Sequence, residues 1–232
     1  MWEPQLALAG LGWRVIAPQL GGAGEDAGGA SASASMDDLA GETVDLLDAL
    51  HIDQAVIGGL SMGGYVALAM FRLAARYFRG LVLADTRTQA DTPEGIEGRK
   101  RMLALLREKG APAIADEMIP KLLADATRQR QPDTSARTRE LILANSTDAI
   151  AGAITALMTR TDATPLLPTV HCPTLILVGE RDGITPPPLS EAMHAAIAGS
   201  ELVVIEGAGH LSNLEQPAAF NAALARFLEH RV

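Results

Sequence analysis

Ser61 stands between two glycines in Gly59-Leu60-Ser61-Met62-Gly63, the spacing G-x-S-x-G. The apolar run Ala55-Val56-Ile57-Gly58 precedes it, and a helix-forming run from Tyr65 to Phe78 follows. A strand, a tight turn and a helix around such a serine make a nucleophile elbow. The turn is expected to be so sharp that only residues with almost no side chain fit on either side. Its strain lifts the hydroxyl clear of the backbone. A serine alkoxide needs a base, and the base needs an orienting acid. His210 follows Ile205-Glu206-Gly207-Ala208-Gly209, and Asp182 follows Val178-Gly179-Glu180-Arg181. Both lie just past the carboxyl end of a predicted strand, where open α/β sheets gather their sites. The chain order Ser, Asp, His is the order an elbow of this kind requires. In this reading His210 takes the Ser61 proton and returns it to the leaving group, while Asp182 holds the imidazole tautomer. A turn-forming aspartate before Gly183 is the other reading of Asp182. Asp85, which also ends a predicted strand, is the alternative acid.

The elements that must position these residues alternate along most of the chain. Short apolar runs at residues 14–17, 55–58, 81–84, 174–178 and 202–205 carry no polar alternation, as expected of parallel strands covered on both faces. Helical patterns fall at about residues 37–50, 65–78, 188–197 and 217–228, with Asp37 and Asp38 placed to cap the first. The expectation is an α/β fold with an open, mostly parallel sheet of about five strands and helices on both faces. Residues 89–169 break the alternation. They hold amphipathic stretches near 99–109, 112–123, 138–145 and 148–159 and no convincing strand. They are expected to form a helical cap inserted between two parts of one core, residues 1–88 and 170–232. The basic stretch Gly98-Arg99-Lys100-Arg101 reads as a solvated helix face.

Composition narrows the function classes. The chain has 232 residues, 48% hydrophobic and 20% charged, with a formal net charge of −9. That suits a soluble globular protein and, with dispersed basic residues, argues against nucleic acid as a partner. No apolar run reaches the roughly 18 residues needed to span a bilayer, and the first residues do not read as a signal peptide. Cys172 is the only cysteine, so no internal disulfide can form, and a reducing compartment such as the cytoplasm is expected. The five histidines offer no paired ligands at metal-binding spacing. Gly21, Gly22 and Gly24 match neither nucleotide-binding glycine pattern, so neither a metal nor another cofactor is expected.

The motifs Gly59-Leu60-Ser61-Met62-Gly63-Gly64, Gly179-Glu180-Arg181-Asp182-Gly183-Ile184-Thr185-Pro186 and Gly207-Ala208-Gly209-His210-Leu211 together resemble the α/β-hydrolase superfamily. Trp2-Glu3-Pro4-Gln5-Leu6 and Arg14-Val15-Ile16-Ala17-Pro18 resemble its first helix and the strand after it. Asn213-Leu214-Glu215-Gln216-Pro217 resembles the start of its last helix. The best match within it is the small esterase and lactonase branch, including 3-oxoadipate enol-lactonase-like proteins. The resemblance implies hydrolysis of a small carboxylic ester or lactone through an acyl-enzyme at Ser61. It also implies that the Met62 backbone N–H serves the oxyanion hole.

One departure stands at the amino terminus. Members usually begin with two or three strands, the third ending in a His-Gly segment that supplies the second oxyanion donor. No such strand precedes Trp2. Three expectations follow. Residues 14–17 pair directly with residues 55–58, or a partner chain in a homodimer supplies a strand. A substitute oxyanion donor comes from the loop at residues 20–24. A catalytically weak or inactive binding protein of the same fold is the alternative function.

Overall fold

The computed structural model describes residues 1–21 and 35–232. Four parallel strands form one sheet in the order β1-β2-β3-β4: β1 (Ala55–Leu60), β2 (Phe78–Ala84), β3 (Thr174–Gly179) and β4 (Glu201–Ile205). Each strand is reached from the one before through helical chain, the only economical way to return to a parallel register. The ladders run Leu60 beside Ala84, Ala84 beside Leu177, and Gly179 beside Ile205. The carboxyl ends of all four strands therefore open on one edge of the molecule.

Side chains leave the central strands alternately to the two faces. Leu81, Leu83 and Ile176 join a core with α1 (Met36–Ala49), α2 (Met62–Ala74) and the later part of α7 (Pro187–Ala196). Val82, Ala84, Leu175 and Leu177 join a second core with α9 (Pro217–His230) and the 3-10 helix Glu3–Leu11. Buried Gln5 ties that 3-10 helix down, donating to the Asn213 carbonyl oxygen at 3.2 Å and to Asn221 Oδ1 at 3.0 Å. α1 starts in a capping box in which Ser35 is the N-cap and Asp38 the reciprocal acceptor. Asp38 thus has the helix-starting role expected of it, one turn later than a cap.

The expected covered parallel sheet is present, with one strand fewer. Residues 14–17 form no strand, and among the described residues β1 pairs with β2 alone. Ile16 is 39% exposed, and Arg14 and Ala17 are exposed as well. An apolar run becomes a strand only when a neighbour takes its backbone hydrogen bonds, and among the described residues this run pairs with none. The expected pairing of residues 14–17 with residues 55–58 is therefore corrected.

Between β2 and β3 the described chain is helical: α3 (Pro93–Leu122), α4 (Asp125–Arg130), α5 (Pro132–Leu143), α6 (Thr147–Thr159) and the 3-10 helix Thr164–Thr169. α3 is broken at Gly110, whose φ of 74° with Pro112 just beyond interrupts the helical path. This separates the two amphipathic stretches the sequence suggested. Leu106, Ile114 and Ile154 pack these helices on one another in a small core of their own. The basic stretch is only partly solvated. Lys100 is exposed, but Arg99 turns inward to Asp91, at 3.1 Å. Asp91 also pairs with the fully buried Arg160 and with Arg87, each at 2.8 Å, which fastens α6 to the chain leaving β2. Among the described residues no single helix is long and apolar enough to cross a membrane.

Candidate active site

Ser61 sits between the last residue of β1 and the first of α2 with φ 52° and ψ −114°. A side chain in this region of backbone space costs about 1–3 kcal/mol and persists only where its surroundings impose it. Ladder and helix impose it here. The Ser61 N–H donates to the Ala84 carbonyl at 2.9 Å, and the Ser61 carbonyl accepts from Gly64 N–H at 3.0 Å and from Thr86 Oγ1 at 2.8 Å.

The glycines around Ser61 do not share one role. A Cβ at Gly59 would stand 2.0 Å from the Gly63 carbonyl oxygen, and one at Gly64 would stand 2.5 Å from Thr86 Oγ1. A Cβ at Gly63 would meet nothing within 4 Å. The expectation that both motif glycines are sterically required holds at Gly59 and fails at Gly63. The second tight approach belongs to Gly64, because the helix turns its next residue against the end of β2.

His210 Nε2 lies 2.8 Å from Ser61 Oγ, and His210 Nδ1 lies 2.8 Å from Asp182 Oδ2. His210 and Asp182 are buried, at 2% and 3% exposure, while Ser61 is half-buried and reachable. Asp182 is held on all sides. Its Oδ1 accepts from the Ile184 and Thr185 N–H groups at 2.8 and 2.9 Å, and its Oδ2 accepts from Thr185 Oγ1 at 2.6 Å. Burial would raise the Asp182 carboxyl, but the hydrogen bond and charge of His210 and the Thr185 bonds outweigh it and hold it below its ordinary value. Asp182 is thus both things its sequence allowed, a turn aspartate and a partner of His210.

The His210 turn is fastened to its surroundings by groups the sequence did not single out. Buried Glu215, in the short helix α8 (Ser212–Glu215), accepts from Gly209 N–H at 2.8 Å, Ala124 N–H at 2.8 Å and Thr127 Oγ1 at 2.7 Å. The His210 and Leu211 N–H groups both donate to the Leu122 carbonyl, at 3.0 and 3.1 Å. Only the tertiary structure brings residues 122–127 there. The Thr185 contact was legible in outline, since an aspartate followed two and three residues later by free N–H groups is a common local turn. Asp85, the alternative acid, is buried among Gly179 and Ser212, and the ring nitrogens of His210 bond Ser61, Asp182 and Thr185 instead.

Met62 opens α2, and first-turn N–H groups of a helix have no acceptor within the helix. Among the described residues no acceptor outside the helix takes its N–H. Of the loop expected to give a second donor, Gly21 N–H is committed to Glu42 Oε2 at 3.1 Å, and residues 22–24 lie outside the described residues. The other histidines stand apart from this site. His171 packs on Phe71 with ring centroids 5.6 Å apart, and His194 Nδ1 lies 2.8 Å from Ser200 Oγ.

Known proteins share this arrangement of elements. A sequence profile of the alpha/beta hydrolase family matches residues 1–223. 3-Oxoadipate enol-lactonase 1 of Acinetobacter baylyi is 27% identical over 229 residues, spanning 99% of this chain and 84% of that protein. The pimeloyl-[acyl-carrier protein] methyl ester esterase of Neisseria meningitidis is 32% identical over 197 residues, spanning 75% of this chain and 69% of that protein. Among solved structures, a thermophilic esterase from Thermogutta terrifontis superposes with a TM-score of 0.93 at 38% identity, covering 98% of this chain and 84% of its own. With a match over nearly its whole length, the chain belongs to the alpha/beta hydrolase family.

Proposed function

We propose that this protein is a carboxylic-ester hydrolase that cleaves small esters or lactones through Ser61, His210 and Asp182. The observation that supports this most is the unbroken relay of two 2.8 Å contacts, Ser61 Oγ to His210 Nε2 and His210 Nδ1 to Asp182 Oδ2. Ser61 Oγ attacks the carbonyl carbon as His210 Nε2 removes its proton. The carbonyl π bond breaks and its electrons move to oxygen, where the Met62 N–H donates to the oxyanion. As the tetrahedral centre collapses, the bond to the leaving oxygen breaks and His210 returns the proton to it. An alcohol departs from an ester, while a lactone opens and stays attached. Water then repeats the sequence on the acyl-enzyme, restoring Ser61 and releasing the acid. Asp182 stays ionised throughout, which suits a carboxyl held below its ordinary value.

Relatives named as an enol-lactonase and as esterases support the same substrate class here. Residues 89–169 act as the cap in this reading, between core parts at residues 1–88 and 170–232. Because the Leu122 carbonyl accepts from the His210 and Leu211 N–H groups, and Ala124 N–H reaches the turn through Glu215, the cap both shapes the acyl site and braces the base. Turnover of p-nitrophenyl acetate tests the proposal. Wild-type protein should hydrolyse it, and Ser61→Ala should lower kcat by about 10⁶-fold, as loss of a triad nucleophile does elsewhere. Turnover that survives unchanged in Ser61→Ala would remove Ser61 as the nucleophile.

A further inference from the structure

The last residue of β2 and the two residues after it contact Ser61 itself and the chain that flanks Asp182 and His210. Ala84 and Thr86 hold the Ser61 backbone from two directions, through the Ala84 carbonyl and the Thr86 hydroxyl. Asp85 lies between them with φ 44°, a conformation a non-glycine residue adopts only under constraint. Its own N–H donates to the Leu177 carbonyl at 2.8 Å. Its carboxyl points away from solvent, fully buried. One oxygen accepts from Gly179 N–H at 2.7 Å, three residues before Asp182. The other accepts from Ser212 Oγ and, at 3.4 Å, from Ser212 N–H, two residues after His210. The two oxygens thus join the strand end that carries the acid to the turn that carries the base, from a residue whose neighbours hold the nucleophile.

We infer that Asp85 is the positioning residue of the relay, latching the Asp182 strand end to the His210 turn through Gly179 and Ser212. This rests on the hydrolase reading given above. The latch works by hydrogen-bond geometry and not by charge. Burial pushes the Asp85 carboxyl well above the usual carboxylate range against the opposing bonds from Ser212 and Gly179, so the site does not favour a charge there. An amide can keep the two short bonds of this join, its oxygen accepting from Gly179 N–H and its nitrogen donating to Ser212 Oγ, and gives up only the long 3.4 Å contact with Ser212 N–H. A methyl group cannot, and it leaves the buried Gly179 N–H without a partner.

The experiment compares wild type with Asp85→Ala, Asp85→Asn and Ser212→Ala. It measures p-nitrophenyl acetate kinetics across pH and the far-downfield ring N–H proton resonance of His210, assigned by its absence from His210→Asn. Asp85→Ala is expected to lower kcat by about 10²-fold, the scale of a 1 Å misplacement, with KM little changed and the resonance lost or broadened. Ser212→Ala should fall between it and wild type. Asp85→Asn should recover most of what Asp85→Ala loses, with the resonance present and the acidic limb of kcat/KM in place. An Asp85→Asn variant as impaired as Asp85→Ala overturns the latch, because charge would then be what matters. Wild-type kcat and resonance in Asp85→Ala overturn it as well. If Asp85→Ala does not fold, wild-type kcat and resonance in Ser212→Ala have the same force. Should Ser61→Ala leave turnover unchanged, the hydrolase reading fails by itself, and the resonance still decides whether Asp85 places His210.

Discussion

Ser61 and Asp85 both hold left-handed backbone, with φ of 52° and 44°, and both stand where a strand stops. Such conformations survive because neighbours over-determine them. At Ser61 these neighbours are the Ala84 carbonyl, the Thr86 hydroxyl and the first turn of α2. The close packing around this turn separates the glycines by consequence. Gly63→Ala is expected to fold and to keep its stability within about 0.5 kcal/mol, since open space receives the new methyl group. Gly64→Ala forces a Cβ to within 2.5 Å of Thr86 Oγ1, and it should lower the denaturant midpoint by the equivalent of about 1–3 kcal/mol. Urea unfolding of the two variants checks this, and equal midpoints would show that the elbow is looser than its contacts suggest.

At the scale of elements, the His210 turn is a junction. α8 contributes Glu215, the carboxyl end of α3 contributes the Leu122 carbonyl, and the start of α4 contributes Ala124 and Thr127. A carboxylate suits Glu215 because its contacts are all donors. Glu215→Gln turns one end of the side chain into a donor facing donors, leaving a buried polar group unsatisfied at a cost of about 1–3 kcal/mol. The urea midpoint should fall with the slope unchanged, and kcat should fall with it because Gly209 directly precedes His210. A full loss of stability with wild-type kcat would separate the junction from the chemistry. The cluster of Arg87, Arg99 and Arg160 around Asp91 gives the helices a second anchorage, at the strand end that carries Asp85.

For the whole molecule, the two buried aspartates act on stability with opposite sign. Asp182 is held below its ordinary value, so its contribution is present above the unfolded value of about 3.9 and is lost as pH falls through the lower folded value. Asp85 is raised, so the folded protein binds its proton more tightly than the unfolded chain does. Its contribution is therefore full below about 3.9 and declines as pH climbs towards the raised folded value. Asp85→Asn removes that decline. The stability of Asp85→Asn relative to wild type should rise between pH 4 and pH 8, read as the difference in urea unfolding free energy at each pH. A difference that stays flat or falls would mean that the Asp85 carboxyl is not raised in the folded protein.

The local readings that survived are those set by neighbours in the chain. Residues 55–58, 81–84, 174–178 and 202–205 lie within the four strands, because short apolar runs between helices have few other ways to be buried. Ser61, Asp182 and His210 meet as their order and strand-end positions suggested, because a parallel sheet delivers all its carboxyl ends to one edge. Residues 14–17 carry the same local signal and form no strand, since pairing depends on what lies alongside and not on the run itself. The open space at Gly63, the latch at Asp85 and the three-way grip of Glu215 were equally hidden. Each depends on a contact between residues distant in sequence, such as Asp85 with Ser212 or Glu215 with Ala124. The sequence by itself determined which groups could do chemistry and at which edge they would gather. Only the tertiary structure decided what holds them there, because hydrogen bonds across 91 or 127 residues of chain leave no local pattern to read.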